Sequence, residues 1–491
     1  MKAVRTKRSA PLRRAGNSGP ARPHSDHHSE GAPLSLSLSL RRPFSFSARS
    51  RRPRRFERKS KSRRKSKSRR KSKTGPGPHR PSSPFPPPHT YSIHHDAAYS
   101  PRRPPLTLPF PHSLFMPPTF DITRKDAMAM PVRPIDPAAF DFARYEAFAA
   151  EADARFHAFL QQQDGIAVWQ RVRAGEVFRD ACRDMRESLR WQIGALQRTL
   201  DYRTDAPTYL EPWYGIGTTA AAFGATYEWL PGQAPVVMPA YASVADIPNQ
   251  LEPRPAEEVP ILRYTLETIE YFLSATQGRV PISWCDLQAP INAVGGIVEL
   301  GQFLELCYDE PQRAQQILGA LRDEIIRFTR RQSALLGNTL ARPGHGFASS
   351  RAGMGIALST DNLVMISPAM LAEFCSTDCA QLGAAFGGVG IHSCGNWARW
   401  IDTVKSIPNL CIVDGAFSPQ TDPGFNDAAT FRDALVGTGI ILHARIVGDR
   451  AEVMSRVRQL WKPGLKLIVG THIEDPAEQH ATYEEIHALD G

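Results

Sequence analysis

Apolar residues recur at intervals of three and four through FDFARYEAFAAEADARFHAFLQQ (140–162) and again through VFRDACRDMRESLRWQIGALQ (177–197). That spacing predicts amphipathic helices. The stretch from Phe120 to about Leu200 therefore reads as a helical N-terminal extension. Between 206 and 245 the pattern gives way to Gly, Pro and aromatic residues with short strand-like pieces, as in a loop-rich binding surface.

After Pro281 a regular alternation sets in. Short apolar runs occur at 281–286 (PISWCD), 355–361 (GIALSTD), 388–394 (GVGIHSC), 410–415 (LCIVDG), 439–445 (GIILHAR) and 466–472 (KLIVGTH). Helical stretches at 302–336, 368–386, 396–405, 427–436, 450–461 and 476–488 separate them. Short buried strands alternating with helices imply βαβ units and a parallel sheet. With one or two strands from 206–245, this α/β pattern predicts an eightfold (β/α) barrel over 201–491, preceded by the helical extension at 116–200. An open doubly wound sheet is the main alternative.

Charge changes the picture at the N-terminus. Residues 1–115 hold 28 of the 60 Lys and Arg but only 4 of the 49 Asp and Glu, leaving 32 basic against 45 acidic residues in the remainder. The net charge of +11 thus averages a basic segment and an acidic body. The segment is poor in aliphatic residues and includes the repetitive SKSRRKSKSRRKSK (60–73), so it is expected to be disordered. It reads as an unstructured extension ahead of a start at Met116, Met128 or Met130, as a transit peptide, or as a tail for an acidic partner. Nucleic-acid binding is not expected except through this tail. The 7 cysteines all lie in the acidic body without framework spacing, which fits a reduced, cytoplasmic chain. No apolar run approaches the roughly 18 residues of a membrane span.

In barrels of this kind the chemistry sits at the C-terminal ends of the strands. Here those ends read Asp286, Asp361, His392 with Cys394, Asp414, His443 and His472. A strand-end Asp also caps helices, and a lone His is usually a satisfied core residue; the coincidence across strands is what points to a site. His392 and Cys394 are two apart, so on an extended strand both side chains reach one ion, and Gly395 allows a sharp turn after them. Imidazole and thiolate together select zinc. A third ligand is needed, and order along the barrel favours His472, with His443 and Cys411 in reserve. Asp286 and Asp361 are the candidates for orienting substrate or moving protons.

The segments GIALSTDNLVMISPAMLAEF (355–374) and GGVGIHSCGNWARWID (387–402) resemble the uroporphyrinogen-decarboxylase superfamily, in which an acidic pair precedes a Ser-Pro helix and then His-Ser-Cys-Gly-Asn. WCDLQAPINAV (284–294), FLELCYDEPQRAQQIL (303–318) and YGIGTTAAAFGATYEW (214–229) are similar to further motifs of that family, so the resemblance covers about 206–490. In its zinc methyltransferases, which serve corrinoid proteins and coenzyme M, His-x-Cys-Gly supplies two metal ligands and a later Cys the third. The resemblance implies these roles for His392 and Cys394, with His472 standing where that Cys would be. It also implies a small-molecule thiol or methyl-carrier substrate. No Asp-x-His-x-x-Gly stretch of the cobalamin-ligating kind is present, so a corrinoid would arrive on a partner protein.

The metal-free uroporphyrinogen decarboxylases of porphyrin biosynthesis are the enzymatic alternative. They need an arginine-rich motif ahead of the barrel, and no Arg-Gln-Ala-Gly-Arg-Tyr-like stretch precedes it in the sequence. The acidic body also suits a polycarboxylate poorly. A non-catalytic module binding a tetrapyrrole or a corrinoid partner is the third reading.

Overall fold

A computed structural model describes residues 130–490, and the tail at 1–115 lies outside the described residues, as do the proposed starts at Met116 and Met128. Five of the six apolar runs become strands, the run at 281–286 makes only isolated bridges, and Gly165–Gln170 supplies the sixth strand; all are buried at most positions, as expected where a parallel sheet is covered on both faces. They are β1 (Gly165–Gln170), β4 (Ile356–Ser359), β5 (Val389–His392), β6 (Leu410–Ala416), β7 (Ile441–Arg445) and β8 (Lys466–Thr471). They form one parallel sheet in the order β1-β8-β7-β6-β5-β4. Two further strands, β2 (Thr226–Glu228) and β3 (Val236–Met238), pair antiparallel as a separate hairpin.

The arc from β1 round to β4 is irregular. Asp205 N donates to Val168 O at 2.7 Å, Leu210 bridges Ile282, Ile282 bridges Leu340, and Gln288 bridges Ser359. Segments 204–210 and 281–288 thus stand where the two remaining barrel staves belong. Pro207, Pro212 and Pro281 fall within or beside them. A proline lacks the N–H that a ladder requires, which accounts for single bridges in place of strands. The result is an α/β fold of TIM-barrel type.

Alternation along the strands sorts the core. Ala167, Trp169, Ala357, Ile412, Ile441 and Ile468 face one interior cluster, while Ile166, Val168, Leu358, Val413, Leu442 and Leu467 pack outward against the helices. The helix Phe142–Gln161 contributes Phe156 and Phe159 to the interior cluster. Lys466 Nζ, at the start of β8, donates to Leu160 O and Gln162 O at 2.8 Å.

The helices match the expected stretches with breaks at identifiable residues. The 302–336 stretch is Leu300–Asp309 followed by Pro311–Leu336, Pro311 opening the second helix. Asp427, Asp449 and Asp475 cap the helices after β6, β7 and β8, accepting from Thr430 N, Glu452 N and Glu478 N.

One expectation needs correction. The helices Phe142–Gln161 and Met185–Thr199 are present, but Gly165–Gln170 between them is the barrel's first strand, in register with β8 from Gly165↔Lys466 to Gln170↔Thr471. Six residues buried on both faces show no alternation, and a short apolar run beside helical sequence has no period of its own. No helix among the described residues is long and apolar enough to cross a membrane.

Candidate metal centre at the mouth of the barrel

The register of two neighbouring strands builds this site. β4 and β5 pair with Ser359 opposite His392, so the residues two positions further on, Asp361 and Cys394, lie level just beyond the strand ends. Asp361 Oδ1 accepts from Cys394 N at 2.7 Å and stands 3.5 Å from His392 Nε2. Cys394 Sγ is 3.5 Å from the same Nε2. One donor atom from each of Asp361, His392 and Cys394 lies within 4.8 Å of the others, and all three residues are half-buried.

The loop carrying Cys394 is held from the next strand's loop. Gly395 takes φ +72°, a left-handed conformation that glycine adopts without strain. Its N–H donates to Asp422 Oδ2 at 3.0 Å, and Trp397 N donates to Asn426 Oδ1 at 2.8 Å. Asn396 accepts from Ala398 N at 3.1 Å, a local cap at the next turn.

Beneath the three donors sits Asp414 of β6, fully buried. Its carboxylate accepts from His392 Nδ1, from His443 Nδ1 at 2.6 Å and from Arg445 Nε at 2.9 Å. Burial alone would raise the Asp414 pKa, but Arg445 and then His392 outweigh it and hold the carboxyl well below its usual range. Burial likewise disfavours charge on His392, yet Asp414 and Cys394 push it up to about 10. With Nδ1 tied to Asp414, Nε2 is the nitrogen turned toward Asp361 and Cys394, an arrangement that orients metal-ligating histidines.

The structure therefore brings together two of the three expected metal ligands and supplies Asp361, expected to orient substrate, alongside them. His472 is not among the converging donors. It follows β8, which β6 and β7 separate from β5, whereas Asp361 comes from the strand directly paired with β5. Of the reserves, His443 is spent on Asp414, its ring stacked on Phe347. Cys411 sits at the opposite end of β6, its thiol 3.4 Å from Val389 O.

Asp286 anchors a second cluster. It is 4% exposed, accepts from Trp213 Nε1 at 3.1 Å and Gln288 Nε2 at 2.6 Å, and lies 3.6 Å from His345 Nε2. His345 Nδ1 bonds in turn to Glu211. Burial raises the Asp286 carboxyl, opposed by His345. Burial also tends to raise Glu211, but His345 with Arg173 and Arg171 more than offsets this and holds it low. Arg171, just past β1, is pulled down to about 9, chiefly by burial. Arg171, Arg173, Trp169, Tyr209 and Glu211 line one small cavity. Sequence reasoning missed Glu211, His345 and both arginines. The arginines hide in the overlooked first strand's exit, and the other two sit on irregular segments without a period.

Residues 159–339 match the family model described as uroporphyrinogen decarboxylase (URO-D). Among solved structures, a methyltransferase from Methanosarcina mazei is similar in fold, with a TM-score of 0.50 at 14% identity, covering 69% of this chain and 99% of that one. No curated protein matches the chain.

Proposed function

We propose that this chain, which belongs to the uroporphyrinogen-decarboxylase superfamily, is a zinc-dependent enzyme that transfers a methyl group to a thiol, the methyl arriving on a corrinoid carrier. The observation that carries the reading is the convergence of Asp361, His392 and Cys394 at the end of adjacent strands. Zinc bonds of about 2.0–2.3 Å in tetrahedral geometry place neighbouring donor atoms about 3.4–3.6 Å apart. The His392–Cys394 and His392–Asp361 separations are both 3.5 Å, so the donor set fits the ion in size as well as type.

Zinc bound there would lower the pKa of a substrate thiol enough to make it a nucleophile at neutral pH. The chain's own residues do the rest. Asp414 fixes the His392 ring and its tautomer, and Arg445 and His443 hold Asp414 in turn. Three protein ligands leave a fourth tetrahedral position for substrate. The similar fold of the methyltransferase from Methanosarcina mazei supports the same branch.

A second reading has one observation in its favour. Arg171 and Arg173 stand at the exit of β1 beside Glu211, and His345 links Glu211 to the buried Asp286 carboxyl, an arrangement usable for metal-free decarboxylation of a carboxylated tetrapyrrole. The test is direct. Zinc-loaded full-length protein given methylcobalamin and 2-mercaptoethanesulfonate or another small thiol is expected to yield the methyl thioether, and chelation should abolish it. Chelated protein that instead converts uroporphyrinogen to coproporphyrinogen overturns the proposal in favour of the decarboxylase.

A further inference from the structure

We propose that Asp422 and Asn426 are positioning residues for the Cys394 thiol, and that their hydrogen-bonding capacities set how tightly the metal is held, an inference that rests on the zinc reading above. Both act through the backbone of the loop that carries Cys394.

The two residues belong to the loop at 417–426, which follows β6. Phe417 N donates to Arg445 O at 2.9 Å, and Ser418 Oγ accepts from Val447 N at 2.8 Å, so the loop is moored to the exit of β7. Asn426 N donates to Ala416 O at 2.9 Å, which closes the loop on the last residue of β6. From this base it reaches the exit of β5. Ser418, Asp422 and Asn426 are all buried, so each polar atom that lost its partner would be costly.

Donor and acceptor counts specify both side chains. Asp422 accepts from two N–H groups, Gly395 N on Oδ2 at 3.0 Å and Gly424 N on Oδ1 at 2.9 Å. A carboxylate serves both, whereas an asparagine has one accepting oxygen. Asn426 meets the opposite demand. Its Oδ1 accepts from Trp397 N at 2.8 Å, while its Nδ2 donates to Gly395 O at 3.3 Å and Ala416 O at 3.1 Å. An aspartate there could accept from Trp397 but would set a carboxylate oxygen against two carbonyls.

Gly395 is thus gripped at its N–H and at its C=O, and Trp397 at its N–H. The N–H of Cys394 itself donates to Asp361 Oδ1 at 2.7 Å. The backbone on both sides of the thiol is therefore fixed, with Sγ 3.5 Å from His392 Nε2. A ligand held in place by hydrogen bonds of this kind gives up little freedom when it binds an ion, which is how outer partners raise metal affinity.

Two measurements test this. The first follows hydrogen exchange at the Gly395 and Trp397 amides in metal-free full-length protein. Asp422→Ala should speed exchange at Gly395, and Asn426→Ala at Trp397, each by roughly 10-fold, the worth of about one hydrogen bond. Wild-type rates at both amides overturn the proposal whatever the metal does.

The second compares zinc affinity, by competition with a chelator, and the thiolate-to-metal absorption band of the cobalt-substituted protein. Asp422→Asn and Asn426→Asp keep the side-chain size and change only the donor and acceptor count. Each should weaken zinc binding by roughly 10–100-fold and alter the cobalt band. A merely structural role would lower the unfolding midpoint and leave affinity and band as in wild type, and that result also overturns the proposal. Wild-type protein that binds neither zinc nor cobalt sinks the zinc reading instead, and the exchange rates then decide alone whether Asp422 and Asn426 hold the Cys394 loop.

Discussion

Asp414→Ala should destabilise the fold by about 3–5 kcal/mol, the cost of removing one partner from a buried ion pair and leaving the other charged. Among the described residues Asp414 is the carboxylate ion-paired with the Arg445 guanidinium, and both are buried at the centre of the sheet. Its removal also strands the Nδ1 hydrogens of His392 and His443. A domain of ordinary stability has only about 5–15 kcal/mol in reserve, so the loss is a large fraction of the total. Urea unfolding measures it; a midpoint within error of wild type would show that Arg445 finds another partner.

The same residue sets an acid limit. The native Asp414 pKa lies well below that of an unfolded aspartate, about 3.9. Its contribution to stability is therefore fully present above that value and is lost as pH falls toward the lower native one. Asp414→Asn, which keeps the shape and removes the charge, should be less stable at neutral pH. It should also lose less further stability than wild type between about pH 4 and pH 2.

The second large effect concerns metal retention. His392→Ala and Cys394→Ser should each lose zinc, with affinity falling by more than the roughly 100-fold that disturbing an outer partner produces. Asp361→Ala should behave like them, and His472→Ala should retain the wild-type zinc content. That contrast separates the neighbouring-strand site from one closed across the barrel. Zinc content after dialysis against a weak chelator measures it, and a His472 variant that loses metal while Asp361→Ala keeps it would reverse the assignment.

Much of this fold is written in the sequence. The runs ending at Asp361, Cys394, Gly415, Arg445 and His472 give the strands because each is short, apolar and followed by an amphipathic helix. Gly165–Gln170 escapes because it is flanked by helices and carries no alternation. The staves at 204–210 and 281–288 escape as regular strands because their prolines break the ladder. His392 and Cys394 are legible as a pair because a spacing of two on a strand fixes a common direction. The third donor is not, because sequence order ranks strand ends without giving their register. Only the pairing of Ser359 with His392 shows that Asp361 comes level with Cys394. The role of Asp414 was hidden for a related reason: a strand-end carboxylate looks the same whether it faces substrate or supports a histidine from below. With a barrel expected to start at residue 201, Arg171 and Arg173 look like part of the helical extension, whereas the first strand ends at Gln170 and both arginines follow it directly.

X-ray absorption at the zinc edge of the loaded wild-type protein tests the central claim most directly. The site described here predicts one zinc per chain with a single sulfur at about 2.3 Å and nitrogen and oxygen neighbours at about 2.0–2.2 Å, the sulfur shell vanishing in Cys394→Ser. A shell of oxygen alone, or no stoichiometric zinc, would contradict it.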